Sequence, residues 1–120
     1  MAVTKGAFRS AGTFKVSKDT AVRSTMVVDV TGGTGNFYGV DCVAGGTTIM
    51  LRFYDSVSAV TGTTVPLFSF LVPASSSFSV FLPDGIPFTS GLSYNATQTD
   101  SDPATTTNPS HDSTIYITTT

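Results

Sequence analysis

Apolar and polar residues alternate along most of this chain in short runs with a period of two. Such alternation is typical of β-strands that bury one face, because successive side chains of a strand point to opposite sides. Glycine, proline, asparagine and aspartate, which favour turns, separate the runs. The pattern predicts eight strands, over residues 12–17, 22–30, 36–43, 47–54, 64–72, 77–83, 92–97 and 113–119.

Helical periodicity is nearly missing from the sequence. No apolar stripe with helical spacing continues beyond two turns, and a single helical turn is conceivable only within residues 55–63. Serine and threonine together account for 36 residues, and threonine suits a pleated, half-buried surface. We therefore expect an all-β fold.

Eight short amphipathic strands need two packed layers, because each strand has one apolar face to bury. The chain of 120 residues has the size of a single domain. We expect an eight-stranded antiparallel β-sandwich of the jelly-roll or Greek-key type over residues 12–120, preceded by an amino-terminal arm over residues 1–11. An eight-stranded barrel is the alternative.

Proline-containing stretches set limits to the predicted strands. Pro66 is expected at an edge or a strand end, because proline cannot donate a ladder hydrogen bond. Pro83-Asp84-Gly85 predicts a tight turn that ends the strand before it. Most of the nine phenylalanines fall at strand spacing and are interpreted as core, whereas a surface minority would mark a protein–protein contact.

Groups suited to catalysis are few. His111 is the only histidine. Its neighbours Ser110 and Asp112 share one loop with it, whereas a Ser-His-Asp assembly draws its members from separate elements. Cys42 is the only cysteine, which excludes an intrachain disulfide, and its apolar surroundings are typical of a buried thiol. Asn95-Ala96-Thr97 matches the glycosylation pattern, which we interpret as chance. We expect no enzymatic activity and no cofactor.

The polar loop over residues 98–112 is longer than a bare connection needs to be. We expect it to cover a sheet edge, to contact a partner or to be mobile. Its side-chain oxygens could gather around a calcium ion, and the candidates are Asp100, Asp102, Asn108 and Asp112. The glycine and the distal glutamate of an EF-hand are missing, so a plain acidic loop without a metal is the preferred interpretation.

Charge is sparse and unevenly distributed. Residues 1–23 carry five basic side chains against Asp19, whereas the remainder carries Arg52 against seven aspartates. The net charge of −2 argues against a nucleic-acid partner. A basic arm on an acidic body fits docking onto an acidic surface or head-to-tail packing, and ordinary solvated lysines are the alternative. The candidate partner-binding residues are Lys5, Phe8, Arg9, Lys15, Lys18 and Arg23.

The sequence predicts neither the apolar core of a signal peptide nor an apolar run long enough to span a membrane. We therefore expect synthesis in a cytoplasm and no membrane partner.

Four motifs follow one another in the second half of the chain. LRFYDS (51–56) precedes VPLFSFLVPA (65–74), GIPFTSGLSY (85–94) and a final STIYIT (113–118). This order resembles a group of small virion proteins of tailed bacteriophages. The similarity covers residues 47–119 and is most specific at residues 85–94, whereas residues 1–35 lie outside it.

The resemblance implies a jelly-roll virion protein that decorates the exterior of a capsid and stabilises it, as a cement protein does. The implied partner is the phage major capsid protein. A homotrimer would match the three-fold axes of a shell, and many weak contacts would add through avidity. The protein would be made in the host cytoplasm and end on the virion. The alternative is a tail or head-fibre module that binds a host-surface glycan through its tyrosines and the loop 98–112.

Overall fold

The computed structural model describes residues 14–98 and 107–120. Every regular element within these two ranges is a β-strand, which confirms the all-β prediction. The seven strands are β1 (Lys15–Asp19), β2 (Gly35–Val43), β3 (Ile49–Asp55), β4 (Phe68–Val72), β5 (Ser77–Phe88), β6 (Leu92–Gln98) and β7 (Thr114–Thr119).

The strands form two antiparallel sheets. Sheet A has the order β1-β7-β2-β5, and sheet B has the order β4-β3-β6. From β2 onward the chain crosses repeatedly between the sheets, at β2–β3, β4–β5, β5–β6 and β6–β7. These crossings fasten the two layers to each other, and the arrangement is that of a β-sandwich rather than of a closed barrel.

The core lies between the two sheets and is rich in aromatic rings. Phe37 of β2 and Phe53 of β3 are fully buried, and their ring centroids are 4.9 Å apart. Phe68 of β4 lies 4.8 Å from Phe37 and 5.2 Å from Phe53. Burial of each such ring contributes about 1.5–3 kcal/mol. The same cluster includes Val40, Cys42, Ile49, Leu51, Val72, Leu92, Ala96, Ile115 and Ile117.

The strand pairing defines two ends of the sandwich. At the first end, which we call the arm end, β1 begins beside the last residues of β7. This end also carries the connections 31–34, 56–67 and 89–91. At the other, the opposite end, lie the connections 20–24, 44–48 and 73–76 and the residues 107–113. Residues 1–13, which include the predicted arm, lie outside the described residues but join the body at the arm end.

The prediction of a regular strand over residues 22–30 is wrong. The segment runs antiparallel along the edge of β6, where backbone hydrogen bonds join residue 23 to 96, residue 27 to 94 and residue 30 to 92. Between the first and the last of these hydrogen bonds the segment advances by seven residues, whereas β6 advances by four. The backbone of the segment therefore bulges between contacts. Asp29 within it adopts a positive φ of 51°, and only Val27 forms a β-bridge, with Tyr94.

The prediction that residues 83–85 end a strand is also wrong. Residues 86–88 of β5 pair with residues 35–37 of β2, and the ladder resumes with Phe81 opposite Gly39. The residues in between leave the ladder, and Gly85 there has a φ of 74°. β5 is an edge strand and pairs only with β2. Pro83 and Pro87 therefore have no second strand to which a backbone N–H would have to donate a hydrogen bond.

Candidate contact surfaces

The chain itself covers much of the outer face of β3 and β6 in sheet B. Five polar or amphipathic side chains of β3 and β6 point away from the core and are nevertheless at most 1% exposed. These are Arg52, Tyr54, Ser93, Asn95 and Thr97. They lie beneath the loop 56–67 and the segment 22–30, and we call them the polar layer.

Hydrogen bonds within the polar layer fix the loop above it. The hydroxyl of Tyr54 donates to Asn95 Oδ1 at 3.1 Å. Asn95 Nδ2 in turn donates to Thr61 Oγ1 at 3.1 Å and to the carbonyl of Ser24 at 3.2 Å. The hydroxyl of Ser93 donates to the carbonyl of Ser56. One buried asparagine thus connects sheet B to the loop 56–67 and to the segment 22–30.

The loop 56–67 exposes apolar side chains to solvent. Val57, Val60, Val65 and Leu67 are 49%, 54%, 78% and 44% exposed. The loop leaves β3 and re-enters β4 at the arm end, so these side chains lie near the end at which residues 1–13 join the body. We call them the apolar loop surface. Exposed apolar side chains grouped in one loop can mark an interaction site.

Asp55 orders the neighbouring turn at the arm end. The backbone amide of Thr89 lies 3.1 and 3.0 Å from its two carboxylate oxygens, and that of Ser90 donates to Oδ1 at 2.9 Å. These backbone hydrogen bonds favour the ionised carboxylate and lower the pKa of Asp55 below its ordinary value of 3.8. The turn between β5 and β6 is thereby fixed beside the apolar loop surface.

Sheet A, in contrast, presents an open outer face. One row across its four strands consists of Lys18, Tyr116, Asp41 and Ser79. The ammonium of Lys18 lies 5.4 Å from the centroid of the Tyr116 ring, and the hydroxyl of Ser79 donates to Asp41. We call this the charged row.

The next row on the same face consists of Val16, Thr118, Gly39 and Phe81, and we call it the apolar row. Phe81 is 65% exposed, which makes it the surface phenylalanine that the sequence pattern allowed for. Gly39 beside it has no side chain. The apolar row therefore has a shallow notch next to an exposed ring.

The structure places the predicted partner-binding residues at separate sites. Lys5, Phe8 and Arg9 lie outside the described residues. Lys15 and Lys18 lie on β1 but face opposite sides of sheet A, as their partners Thr119 and Tyr116 do. Arg23 lies at the opposite end and forms an ion pair with Asp112. The described members of this set thus do not form one basic patch.

His111 packs against the connection between β2 and β3. Its Nδ1 lies 2.6 Å from Thr47 Oγ1 and 3.3 Å from Ser110 Oγ. Asp112 does not orient the imidazole but pairs with Arg23, whose Nη1 also donates to the carbonyl of His111 at 3.2 Å. This geometry fastens the residues after the long loop to the body, and it is not that of a Ser-His-Asp assembly.

The oxygens suggested for calcium have other roles where they are described. Asn108 Oδ1 accepts a hydrogen bond from the amide of Ser24 at 2.8 Å, and Asp112 is paired with Arg23. Asp100 and Asp102 lie outside the described residues. Among residues 14–98 and 107–120, no group of three histidine, cysteine, aspartate or glutamate side chains is placed to bind a metal ion.

Two further side chains of the sequence motifs are buried. Cys42 is 1% exposed, and burial raises the pKa of its thiol to about 11. Asn95, the first residue of the glycosylation pattern, is 1% exposed and belongs to the polar layer. Neither side chain is accessible to a reagent or an enzyme in the folded protein.

Comparison with known proteins gives no match, since no family model, no curated protein and no solved structure is similar to this chain. Within the described ranges, no helix is long and apolar enough to cross a membrane. The surfaces described above are therefore the basis on which a function is inferred.

Proposed function

We propose that the protein is a structural virion protein that binds the exterior of a phage capsid and stabilises it. The observation that carries this proposal is the apolar loop surface at the arm end. Its four side chains are well exposed, yet the loop that carries them is fastened by the buried hydrogen bonds of Asn95. A surface that is already ordered loses little conformational entropy on binding.

In this proposal the arm end faces the shell. The basic residues Lys5 and Arg9 of the arm, which precedes β1 in the chain, would meet acidic groups of the major capsid protein. The opposite end, where Asp112 is paired with Arg23, would point away from the shell. The proposal includes no nucleic-acid or membrane partner.

We also propose that the fold is a jelly roll. When the segment 22–30 is counted as a distorted eighth strand beside β6, sheet B acquires the order 22–30-β6-β3-β4. Together with the order β1-β7-β2-β5 of sheet A, this is the strand order of the two sheets of a jelly roll. The arrangement supports the fold expected from the resemblance to small virion proteins.

The symmetry of a shell supports a homotrimer around a three-fold axis. Each copy would then contact one surrounding capsid subunit, and several weak contacts would act together. Such avidity is what allows a protein of this size to stabilise a shell.

The test uses shells that lack the protein. We expect added protein to co-sediment with them and to raise their melting temperature. Leu67→Ser should weaken binding about tenfold, because it removes an apolar contact worth roughly 1–2 kcal/mol. Leu71→Ser is the matched control, since Leu71 is similarly exposed, at 50%, but lies towards the opposite end of β4. Absence of co-sedimentation together with unchanged melting would remove the proposal.

The glycan-binding alternative depends on exposed tyrosines. Tyr54 and Tyr94 are 0% and 5% exposed, and therefore cannot stack on a sugar. A glycan array with Tyr38→Ala and Tyr116→Ala variants tests the two tyrosines that remain.

A further inference from the structure

We propose that the outer face of sheet A binds a second copy of this chain, face to face, around a two-fold axis parallel to the strands. The axis lies above the outer face of the sheet, over the gap between the two central strands, β7 and β2. It places β5 of the second copy over β1, and β2 of the second copy over β7. Positions along the strand direction are unchanged. Each row of side chains therefore meets the same row of the second copy in reversed order.

The charged row of one copy is complementary in charge to the reversed charged row of the second copy. Reversal places Asp41 of the second copy above Tyr116, and Tyr116 of the second copy above Asp41. The ammonium of Lys18 already lies above the Tyr116 ring, 5.4 Å from its centroid. It is thus positioned to meet the incoming carboxylate of Asp41. The pair forms twice in the dimer, because the symmetry repeats it.

The apolar row is complementary in shape. Reversal places the exposed ring of Phe81 on Val16 of the second copy, and Thr118 above Gly39. Since Gly39 has no side chain, the second copy can approach closely at the notch. This contact would cover the phenyl ring that is 65% exposed in a single chain.

Sheet B does not offer an equivalent face, because the outward side chains Arg52, Tyr54, Ser93, Asn95 and Thr97 of β3 and β6 are buried. The open face of sheet A is small. Four strands about 4.8 Å apart and six residues of about 3.4 Å each give roughly 400 Å² in projection. A stable interface buries about 800 Å² per partner. The dimer is therefore weak in dilute solution and gains strength where copies are held close together.

The experiment uses the isolated full chain and no shells, so that its result is independent of capsid binding. Sedimentation velocity up to about 1 mM protein can detect association with a millimolar Kd. We expect the weight-average sedimenting mass to rise with concentration, from that of a monomer towards that of a dimer or from that of a trimer towards that of a hexamer. Phe81→Ser should weaken this step at least about tenfold, whereas the control Leu71→Ser on sheet B should leave it unchanged.

A pair of charge reversals tests the register of the contact. Lys18→Asp gives a chain with two acidic groups in the charged row, and Asp41→Lys gives a chain with two basic groups. Each variant alone should associate at least about tenfold more weakly than the unchanged protein. An equimolar mixture should regain association, because both cross-copy pairs then combine opposite charges.

Circular dichroism of each variant checks that it is folded, and the mixture provides a second check, since only folded chains can regain association. Three results would overturn the inference: a mass of the unchanged protein that does not rise with concentration, a rise that Phe81→Ser does not weaken, or a mixture that associates no better than its two components.

Discussion

Replacement of Asn95 by alanine tests whether the polar layer stabilises the fold and fixes the apolar loop surface. The side chain is 1% exposed. It makes one hydrogen bond to Tyr54, one to Thr61 and one to the carbonyl of Ser24. Asn95→Ala removes all of them and leaves buried polar groups without these partners.

The magnitude follows from the number of bonds. A hydrogen bond contributes about 1 kcal/mol net, and a buried group without a partner costs about 1–3 kcal/mol. Three bonds therefore give an expected loss of about 3–4 kcal/mol in the free energy of unfolding. At about 2.1 cal/mol/K per residue, a chain of 120 residues would lose roughly 12–16 °C in Tm.

Urea denaturation at pH 7 measures this loss, and Asn108→Ala is the matched control. Asn108 is exposed and accepts one hydrogen bond from the amide of Ser24, so we expect a loss of no more than about 1 kcal/mol. Amide hydrogen exchange should also accelerate across residues 56–67 in Asn95→Ala. If both variants lose the same small amount and exchange is unchanged, the polar layer does not fasten the loop.

Four further predictions concern single side chains. Phe53→Ala should cost about 3–5 kcal/mol in thermal unfolding, because the ring is fully buried. Phe81→Ala should cost less than about 1 kcal/mol of the free energy of unfolding in dilute solution. Equal losses in the two variants would contradict the placement of Phe53 in the core and of Phe81 on the outer face. The folded-state pKa of Asp55 is lowered, so its ionised form stabilises the fold above the unfolded pKa, and this contribution is lost as pH falls through the folded pKa. The stability difference between the unchanged protein and Asp55→Asn should therefore be larger at pH 7 than at pH 3, and a difference independent of pH would refute this role. The thiol of Cys42, with its pKa raised to about 11, should resist iodoacetamide at pH 8 until urea unfolds the chain, whereas rapid labelling of the native protein would show that it is accessible.

The period-two pattern was sufficient to locate seven of the eight predicted strands, as β1 to β7. It failed at residues 22–30, where Val22, Val28 and Val30 alternate as in a strand. There the hydrogen-bonded residues of β6 are two residues apart, whereas those of the segment are three or four residues apart. Such bulging depends on the contact with β6, so the segment's own alternation contains no signal for it.

The contact surfaces were only partly predictable. Phe81 is out of phase with Phe78, Val80 and Leu82, and this marks it as outward-facing in the sequence. The exposure of Val65 and the burial of Asn95 depend on where the loop 56–67 folds back onto sheet B. That path is set by hydrogen bonds to distant residues, which alternation along one strand cannot reveal.

The two ends of the sandwich have a practical consequence for displaying foreign peptides. Lys15 pairs with Thr119, the last residue of β7, so a tag attached after β7 emerges on the same side as the apolar loop surface. The connection 73–76 lies on the other side, where the amide of Ser75 donates to the carbonyl of Gly45 at 2.6 Å. A peptide grafted into that connection would extend away from the apolar loop surface, and it would leave both chain ends untouched.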